Sequence, residues 1–367
     1  MSGTSLGELF ADLKRLSEIG GPSGYEDEVR EAIVELLKDH ADELYVDALG
    51  NVVAIKRGTG KRRLMLAAHM DEIGLMVRHI DDNGFIFFSP IGGWNERILP
   101  GTRVKVRTLD GRWIPGVVGS KPPHLMKEEE RKQVVEIEKL YIDVGARSRS
   151  DAESLGIAKG SIVVVDAPVE RLAGTRVTGK AFDDRAGLVV LARVFREIEP
   201  REVDVVAVAT VQEEVGLKGA RTSAFWVEPH VALAVDVTAA NDLPGVEPQD
   251  AVAKLGQGPA IKIMDGRAGS GLISNPKLVE LLRKTAKERG IPHQPEVLPG
   301  GTTDATAIQL NREGVPATTV SIPTRYIHSP VEVLDLEDLV NAIELVKAFY
   351  ENLTIDLIDR IRGYRIK

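Results

Sequence analysis

Hydrophobic positions near the start of the chain recur at intervals of three and four residues, as in helices with one buried face. The first such face is formed by Leu6, Leu9, Phe10, Leu13 and Leu16. A second helix is predicted to begin at Ser23, where Glu26 three residues later completes a capping box. Strands are then predicted at residues 51–56 and 63–68, and the glycine-containing segment 57–61 is interpreted as a hairpin turn between them.

The pattern changes between residues 74 and 167, where short alternating runs are separated by glycine, proline, aspartate and asparagine. These runs lie at residues 84–88, 103–107, 114–118 and 162–165. Several short strands with frequent turn residues are typical of a small β-barrel or sandwich. Residues 127–138 interrupt the region with a dense run of charge, which we interpret as a solvated helix or a mobile loop.

After Arg176 strands and helices alternate again. Residues 203–211, 231–235 and 317–322 are nearly continuous β-branched runs, as expected of parallel strands buried on both faces. Helices are predicted from Asn275-Pro276 to Gly290 and from about 336 to 353. We therefore predict a mixed, mostly parallel α/β sheet flanked by helices and built from residues 1–73 and 168–367. Residues 74–167 form an inserted, β-rich domain.

Composition narrows the class of protein. The chain has 367 residues, of which 43% are hydrophobic and 28% charged, and its net charge is −8. This charge argues against nucleic acid or an anionic membrane as a partner. No signal peptide or long apolar segment is recognisable, so we expect a cytoplasmic protein. The chain has no cysteine, which excludes disulfides and thiolate metal sites and, with the many charged residues, fits a thermophilic origin.

Acidic and histidine residues follow four of the apolar strands, and a fifth acidic cluster precedes a helix. In open α/β sheets, sites form beyond the carboxyl ends of the strands. We expect the following residues to share one edge of the sheet: His69, Asp71, Asp183, Asp184, Glu213, Glu214, Asp236 and His328. Because so many like charges cannot be buried unpaired, two divalent cations are predicted to lie among them. Histidine and carboxylate ligands without cysteine suit zinc, cobalt or manganese.

Two of these motifs indicate separate roles. A histidine ligand with a carboxylate two residues away, as in His69 and Asp71, is a common arrangement in which the carboxylate orients the ring. Adjacent glutamates point in different directions, so one of Glu213 and Glu214 can bind metal while the other acts as a base. A loop cap, a helix start or a structural histidine would explain each motif singly, and their coincidence favours the metal site.

The segments HMDEIG, KAFDDRAG, QEEVGLKGA, VDVT, GGTTDA and RYIHSP, together with SGYEDEVR near the start, resemble the M42 family of metallo-aminopeptidases, the tetrahedral or TET peptidases. The resemblance implies a zinc-peptidase-like fold and two zinc or cobalt ions per subunit. His69 and Asp236 would bind one ion and Glu214 and His328 the other, and Asp183 would bridge them.

The same resemblance implies that Glu213 is the general base and that Asp71 orients His69. It also implies a cis peptide bond after Asp183, peptide substrates and a homododecamer whose dimer contacts are made by the inserted domain. Alternatives stay open: a related dinuclear hydrolase of N-acyl amino acids, a glycosidase built on Glu213 and Glu214, and a non-enzymatic assembly protein with a vestigial site.

Other candidate residues have plainer interpretations. Four histidines are predicted to be surface or packing residues: His40, His79, His230 and His293. His124 is interpreted as structural, with a role in a neighbouring subunit's site as the alternative. The glycine-rich residues 265–271 are expected to form a substrate-pocket loop.

Overall fold

The computed structural model describes residues 5–363. Its helices are α1 (Leu6–Glu18), α2 (Asp27–Leu37), α3 (Glu128–Lys132), α4 (Arg149–Ser154), α5 (Phe182–Glu197), α6 (Lys218–Val227), α7 (Pro276–Arg289), α8 (Asp304–Gln309), α9 (Leu336–Asn352) and α10 (Ile355–Arg362). The strands of the first half are β1 (Glu43–Val46), β2 (Val52–Lys56), β3 (Arg62–His69), β4 (Gly74–Ile80), β5 (Ile86–Ile91), β6 (Arg103–Arg107), β7 (Trp113–Gly119), β8 (Tyr141–Asp143) and β9 (Ile162–Val165). The later strands are β10 (Glu170–Arg171), β11 (Arg176–Gly179), β12 (Val203–Thr210), β13 (Val231–Ala239), β14 (Ala260–Met264), β15 (Gln294–Val297), β16 (Ala317–Arg325) and β17 (Glu332–Asp335).

The main sheet has a parallel centre and antiparallel edges. Its order is β1-β2-β12-β3-β13-β16-β17-β11-β10, with β14 and β15 branching from β16. Strands β12, β3, β13 and β16 are mutually parallel, whereas β1, β2, β17, β11 and β10 pair antiparallel. The predicted α/β fold class is confirmed.

Alternate residues of the central strands pack against different helix layers. In β12, Val205 and Ala207 pack in the core that contains α1, α5 and α9, while Val206 and Val208 face α6 and α8. Both faces are therefore apolar, which explains the continuous hydrophobic run in the sequence. Each fully buried valine contributes roughly 1.5–3 kcal/mol relative to an exposed one.

The predicted β-rich region contains a closed barrel. Strands β4, β5, β8, β7, β6 and β9 close in that order around a core that includes Leu75, Ile86, Phe88 and Val106. These strands lie between Gly74 and Val165, inside the predicted insertion. The exact domain limits and a role of the barrel in dimerisation stay predictions.

The predicted hairpin between β2 and β3 is wrong, because β12 lies between them. Strand β12 pairs antiparallel with β2 and parallel with β3. The connecting residues instead cross the start of β12, where Thr59 N donates to Arg201 O and Gly60 N donates to Glu202 O, both over 2.9 Å. Every residue of β12 is buried, so the strand needs a neighbour on each side. The turn residues at 57–61 carry no signal that a strand from later in the chain lies between β2 and β3.

The predicted capping box at Ser23 and Glu26 is also wrong. Helix α2 begins at Asp27, and its N-cap residue Glu26 makes no capping hydrogen bond with its side chain. Ser23 Oγ donates instead to Asp71 Oδ2 over 2.6 Å, and Glu26 Oε1 accepts from Gly24 N and Gln212 N. Both side chains therefore serve the loops beside the sheet edge rather than the helix.

Other local predictions agree with the structure. Asn275 caps α7 through its side chain, and Gly290 ends the helix with a φ of 65°. The charged run contains the short helix α3, whose Glu128 and Lys132 are exposed, as predicted for a solvated helix. Several elements were not predicted, among them strands β1, β4, β8 and β14 and helix α10. Among the helices described between residues 5 and 363, none is long and apolar enough to cross a membrane.

His230 is expected to make stability depend on pH. It is half-buried, its Nδ1 accepts a hydrogen bond from Arg63 N, and burial together with Arg362, Arg62 and Arg63 lowers its pKa to about 4. Because the folded protein favours the neutral ring, this contribution is complete above the unfolded pKa of about 6.5 and is lost as pH falls toward 4. After solvent screening we expect about 1 kcal/mol. The His230→Asn variant should lose less stability than the wild type between pH 7 and pH 5, measured as the difference in Tm. Equal losses in both proteins would contradict this.

Candidate metal centre

The predicted site residues meet at one edge of the main sheet. His69 ends β3, Asp236 lies in β13, and the Glu213-Glu214 pair follows β12. His328 lies in the loop after β16. Because these strands are parallel neighbours, their carboxyl ends open on the same side of the sheet. Asp183, at the start of α5, completes the group.

Asp183 lies at the centre and presents one oxygen to each half of the cluster. Its Oδ1 is 3.1 Å from His69 Nε2, which in turn is 3.9 Å from Asp236 Oδ1. Its Oδ2 is 3.2 Å from His328 Nε2, and His328 Nε2 is 3.0 Å from Glu214 Oε1. Two sets of donor atoms therefore share a single carboxylate.

These separations fit ligands that surround a small cation. Bonds of about 2.0–2.1 Å in a tetrahedral zinc site place neighbouring ligand atoms roughly 3.3 Å apart. The distances of 3.0–3.9 Å between the site's donor atoms lie around that value. Within residues 5–363, the buried Glu214 Oε1 accepts no hydrogen bond of good geometry, although His328 is close. A buried oxygen that lies among other candidate ligands and accepts no hydrogen bond is free to bind a metal ion.

Asp184 is also close, but its oxygens are used by the backbone. It groups with His69 and Asp236 within 4.8 Å, as Asp183 and Glu214 do with His69. However, its Oδ2 accepts from His69 N over 3.2 Å and its Oδ1 from Gly187 N over 2.9 Å. The peptide bond between Asp183 and Asp184 is cis, as the resemblance implied. Both Asp184 oxygens therefore bind backbone N–H groups, one of them at the end of β3, and Asp184 is a weaker candidate for a metal ligand than Asp183.

The electrostatics of the cluster show an excess of negative charge. Burial and neighbouring carboxylates raise the pKa of Glu213 and Asp236 well above the ordinary range and raise that of Glu214 less strongly. Burial lowers the pKa of His328, but Asp183 and Glu214 outweigh it and raise the pKa to about 11. These shifts all have the direction expected where positive charge is needed, and divalent cations would supply that charge.

Asp71 connects His69 to the glutamate pair. His69 Nδ1 lies 3.0 Å from the backbone oxygen of Asp71 and 3.5 Å from its Oδ1. The Asp71 carboxylate also accepts from Glu213 N over 3.0 Å and from Glu214 N over 3.1 Å. Asp71 therefore contacts the ring that it was predicted to orient, and it also holds the backbone of both glutamates.

A cavity of about 460 Å³ opens directly over the cluster. Beyond the charged residues its wall is formed by Leu217, Thr238, Lys262, Leu298 and residues 300–303. Residues 265–271, expected to line the substrate pocket, lie behind this wall, and Asp265 Oδ1 accepts from Thr302 Oγ1 over 3.2 Å. That expectation is corrected: the loop braces the pocket rather than facing it.

The barrel contributes a loop to the same site. Gly92 has a φ of 76°, and a Cβ there would lie 2.7 Å from Ile73 and 3.4 Å from Glu214 Cβ. A Cβ on Gly93 would lie 3.5 Å from His328 Nδ1. The two glycines let the loop after β5 approach the cluster closely, which no local signal in the sequence predicted.

Two buried acidic residues beside the site, Asp304 and Glu332, were missed by sequence reasoning. Asp304 accepts from Thr210 Oγ1 over 2.5 Å, and burial raises its pKa to about 6. Burial and Asp183 raise the pKa of Glu332 to about 8. Asp304 lies in the segment GGTTDA, and Glu332 follows His328 by four residues, so proximity to the quoted motifs was the available signal.

The histidines interpreted as surface or packing residues lie outside the cavity, as predicted, whereas the interpretation of His124 as structural stays a prediction. His124 is exposed, and His79 contacts the Phe87 ring at 6.1 Å between centroids. His293 Nδ1 lies 3.1 Å from Ile291 O. None of these residues lines the wall of the 460 Å³ cavity in the described part of the chain.

The sequence profile of the M42 glutamyl aminopeptidases matches residues 50–345. The chain belongs to this family. M42 enzymes are metal-dependent, and the buried histidine and carboxylate cluster described above is where this member offers ligands. Membership makes the chain a peptide hydrolase, which confirms the resemblance in HMDEIG, KAFDDRAG and QEEVGLKGA.

Known relatives support the assignment along nearly the full length. A solved aminopeptidase from the archaeon Desulfurococcus kamchatkensis is 52% identical, with a TM-score of 0.95 and 99% of each chain covered. The lysyl aminopeptidase of Pyrococcus furiosus is 40% identical over 93% of this chain and 96% of its own. The TET1 peptidase of Pyrococcus horikoshii, which can assemble into a tetrahedron or a large octahedral shell, is 36% identical, with a TM-score of 0.82 over 93% of this chain and 98% of its own.

Proposed function

We propose that the chain is an aminopeptidase that uses two divalent metal ions to remove N-terminal residues from peptides. The observation that carries the proposal is the position of Asp183, whose two oxygens face separate sets of donor atoms. A single carboxylate shared in this way suits a bridge between two ions. Zinc and cobalt suit the histidine and carboxylate donors.

Each proposed ion has its own ligands. His69 and Asp236 would hold one, Glu214 and His328 the other, and Asp183 both. Bound there, the ions would supply Lewis acidity, polarising a scissile carbonyl and lowering the pKa of water. Asp71 would keep His69 in position through the contacts at its Nδ1.

Glu213 is the proposed general base. Its Oε2 lies 3.9 Å from His69 Nε2, so the carboxylate borders the cluster, and Glu213 lines the cavity. Burial raises its pKa, the direction that makes a carboxylate a stronger base. In the proposed reaction Glu213 takes a proton from the attacking water and delivers it to the leaving amine nitrogen. Asp71 fixes its backbone through the hydrogen bond from Glu213 N.

The cavity supports removal of the first residue only. Its floor carries several carboxylates, which attract the free α-ammonium group of a peptide, and residues 300–303 close one side. A peptide would therefore enter with its N-terminus toward the cluster.

We also propose a homododecamer built from dimers that the barrel joins. The solved TET1 relative can assemble into a tetrahedron or a large octahedral shell. Light scattering that gave a monomer would refute the assembly.

Metal removal and restoration test the proposed function. Chelated protein should lose more than about 90% of its activity on a panel of aminoacyl-chromophore substrates, and zinc or cobalt should restore it. N-acetylated substrates serve as the control, because an aminopeptidase needs the free amine. Preference for N-acyl amino acids would indicate the related hydrolase, and metal-independent cleavage of glycosides would indicate a glycosidase. The absence of any metal-dependent turnover would favour an assembly protein with a vestigial site.

A further inference from the structure

Glu332 lies directly beneath two of the proposed metal ligands. It begins β17, four residues after His328, and only 2% of it is exposed. Its Oε1 accepts a hydrogen bond from His328 N over 2.9 Å, and its Oε2 accepts one from Asp183 N over 3.1 Å. Each carboxylate oxygen therefore binds the backbone of a different ligand residue.

The two ligand segments come from distant parts of the chain. Asp183 N is 149 residues from Glu332 in sequence, at the start of α5, whereas His328 lies in the loop between β16 and β17. Strand β17 pairs with β11, where Glu332 faces Gly179 just before the Asp183 segment. Glu332 is thus anchored by the sheet and joins the α5 segment to the histidine loop.

His328 needs such an anchor for a second reason. Its φ is 62°, a left-handed backbone conformation that non-glycine residues rarely adopt without support. The hydrogen bond from His328 N to the buried side chain of Glu332 holds this conformation. The direction in which the imidazole points depends on that backbone.

We propose that Glu332 is a positioning residue that sets the separation of Asp183 and His328. It thereby sets the shape of the second metal site, which is the proposed site formed by Asp183, Glu214 and His328. The inference rests on the proposed function. It requires a side chain with two acceptor oxygens, because each oxygen of Glu332 accepts from a different backbone N–H group. A glutamine has one acceptor oxygen and would turn an NH₂ group toward the other backbone N–H.

The same arrangement recurs on the other side of the cluster. Asp71 accepts from the backbone of Glu213 and Glu214, and Asp184 accepts from His69 N. Buried carboxylates therefore hold the backbone of several functional residues, and Glu332 holds two that belong to different segments. Residues that orient ligands typically change metal affinity by about 10- to 100-fold when they are replaced.

Titration of metal-free protein with cobalt tests the inference without relying on activity. Glu332→Gln should weaken binding of the second cobalt ion by about 10- to 100-fold, leave the Tm of the metal-free protein within a few degrees and change the visible spectrum of bound cobalt. At saturating metal, kcat should fall while KM changes little. Glu337→Gln, five residues away on the exposed start of α9, is the matched control and should behave as the wild type.

Glu332→Asp separates geometry from charge and carries the test if the glutamine variant fails to fold. The shorter carboxylate keeps the charge but cannot reach both N–H groups, so it should also weaken the second ion by about tenfold or more. Wild-type cobalt affinity and spectrum in either folded variant would overturn the inference. Failure of the proposed function would be seen in the wild type itself, as fewer than two bound ions or no metal-dependent peptidase activity. Failure of the inference about Glu332 would be seen only in the variants.

Discussion

Glu213→Gln is expected to lower kcat by about a hundred- to ten-thousand-fold while both metal ions and the fold are retained. The substitution keeps the shape of the side chain and the backbone hydrogen bond from Glu213 N to Asp71, but it removes the proton acceptor beside the cavity. Steady-state kinetics on an aminoacyl-chromophore substrate, with elemental analysis of the same sample, measure both quantities.

The neighbouring glutamate provides the matched control. Glu214→Gln should lose metal as well as activity, because Glu214 Oε1 lies 3.0 Å from His328 Nε2 within the second set of donors. Two adjacent substitutions of the same chemistry would then separate proton transfer from metal binding. Near-normal turnover in Glu213→Gln would exclude Glu213 as the base.

Asp183→Asn is expected to lower the occupancy of both proposed ions together. The variant keeps one carbonyl oxygen but replaces the other with an NH₂ group, so one set of donors loses its shared ligand and the bridging negative charge disappears. We expect at least a tenfold loss of affinity at each site and almost complete loss of activity. Elemental analysis after dialysis, followed by isothermal titration with zinc, measures the loss.

Asp236→Asn should behave differently, because Asp236 lies near His69 and belongs to one set of donors only. It should weaken one ion and leave the other close to wild type. If Asp183→Asn still bound two stoichiometric ions, Asp183 would not be the bridge. If it lost only one ion, Asp183 would likewise not be the bridge.

Strands and helix boundaries were predictable where burial or capping produces a regular pattern of residues along the chain. Strands β12, β13 and β16 are buried on both faces, and their nearly continuous β-branched runs indicated this directly. Helix α7 carries its own boundary signals, since Asn275 caps its start and Gly290 adopts the left-handed conformation at its end. Such signals act within a few residues.

Predictions failed where a local motif had two possible partners. The segment 57–61 has the composition of a hairpin turn, yet β12 enters between β2 and β3 from more than a hundred residues away. Ser23 and Glu26 have the spacing of a capping box, yet they bind Asp71 and Gln212 instead. In both cases a distant contact has displaced the local interaction that the pattern favours.

The sequence by itself determined the α/β class, the barrel region and the set of acidic and histidine residues at the sheet edge, because parallel strands bring their carboxyl ends together. Only the tertiary structure decided which oxygen of Asp183 faces which histidine, that Glu332 binds two ligand backbones, and that Gly92 brings the barrel against Glu214. These contacts join segments far apart in the chain, and their geometry is set by packing rather than by any spacing that a linear pattern records.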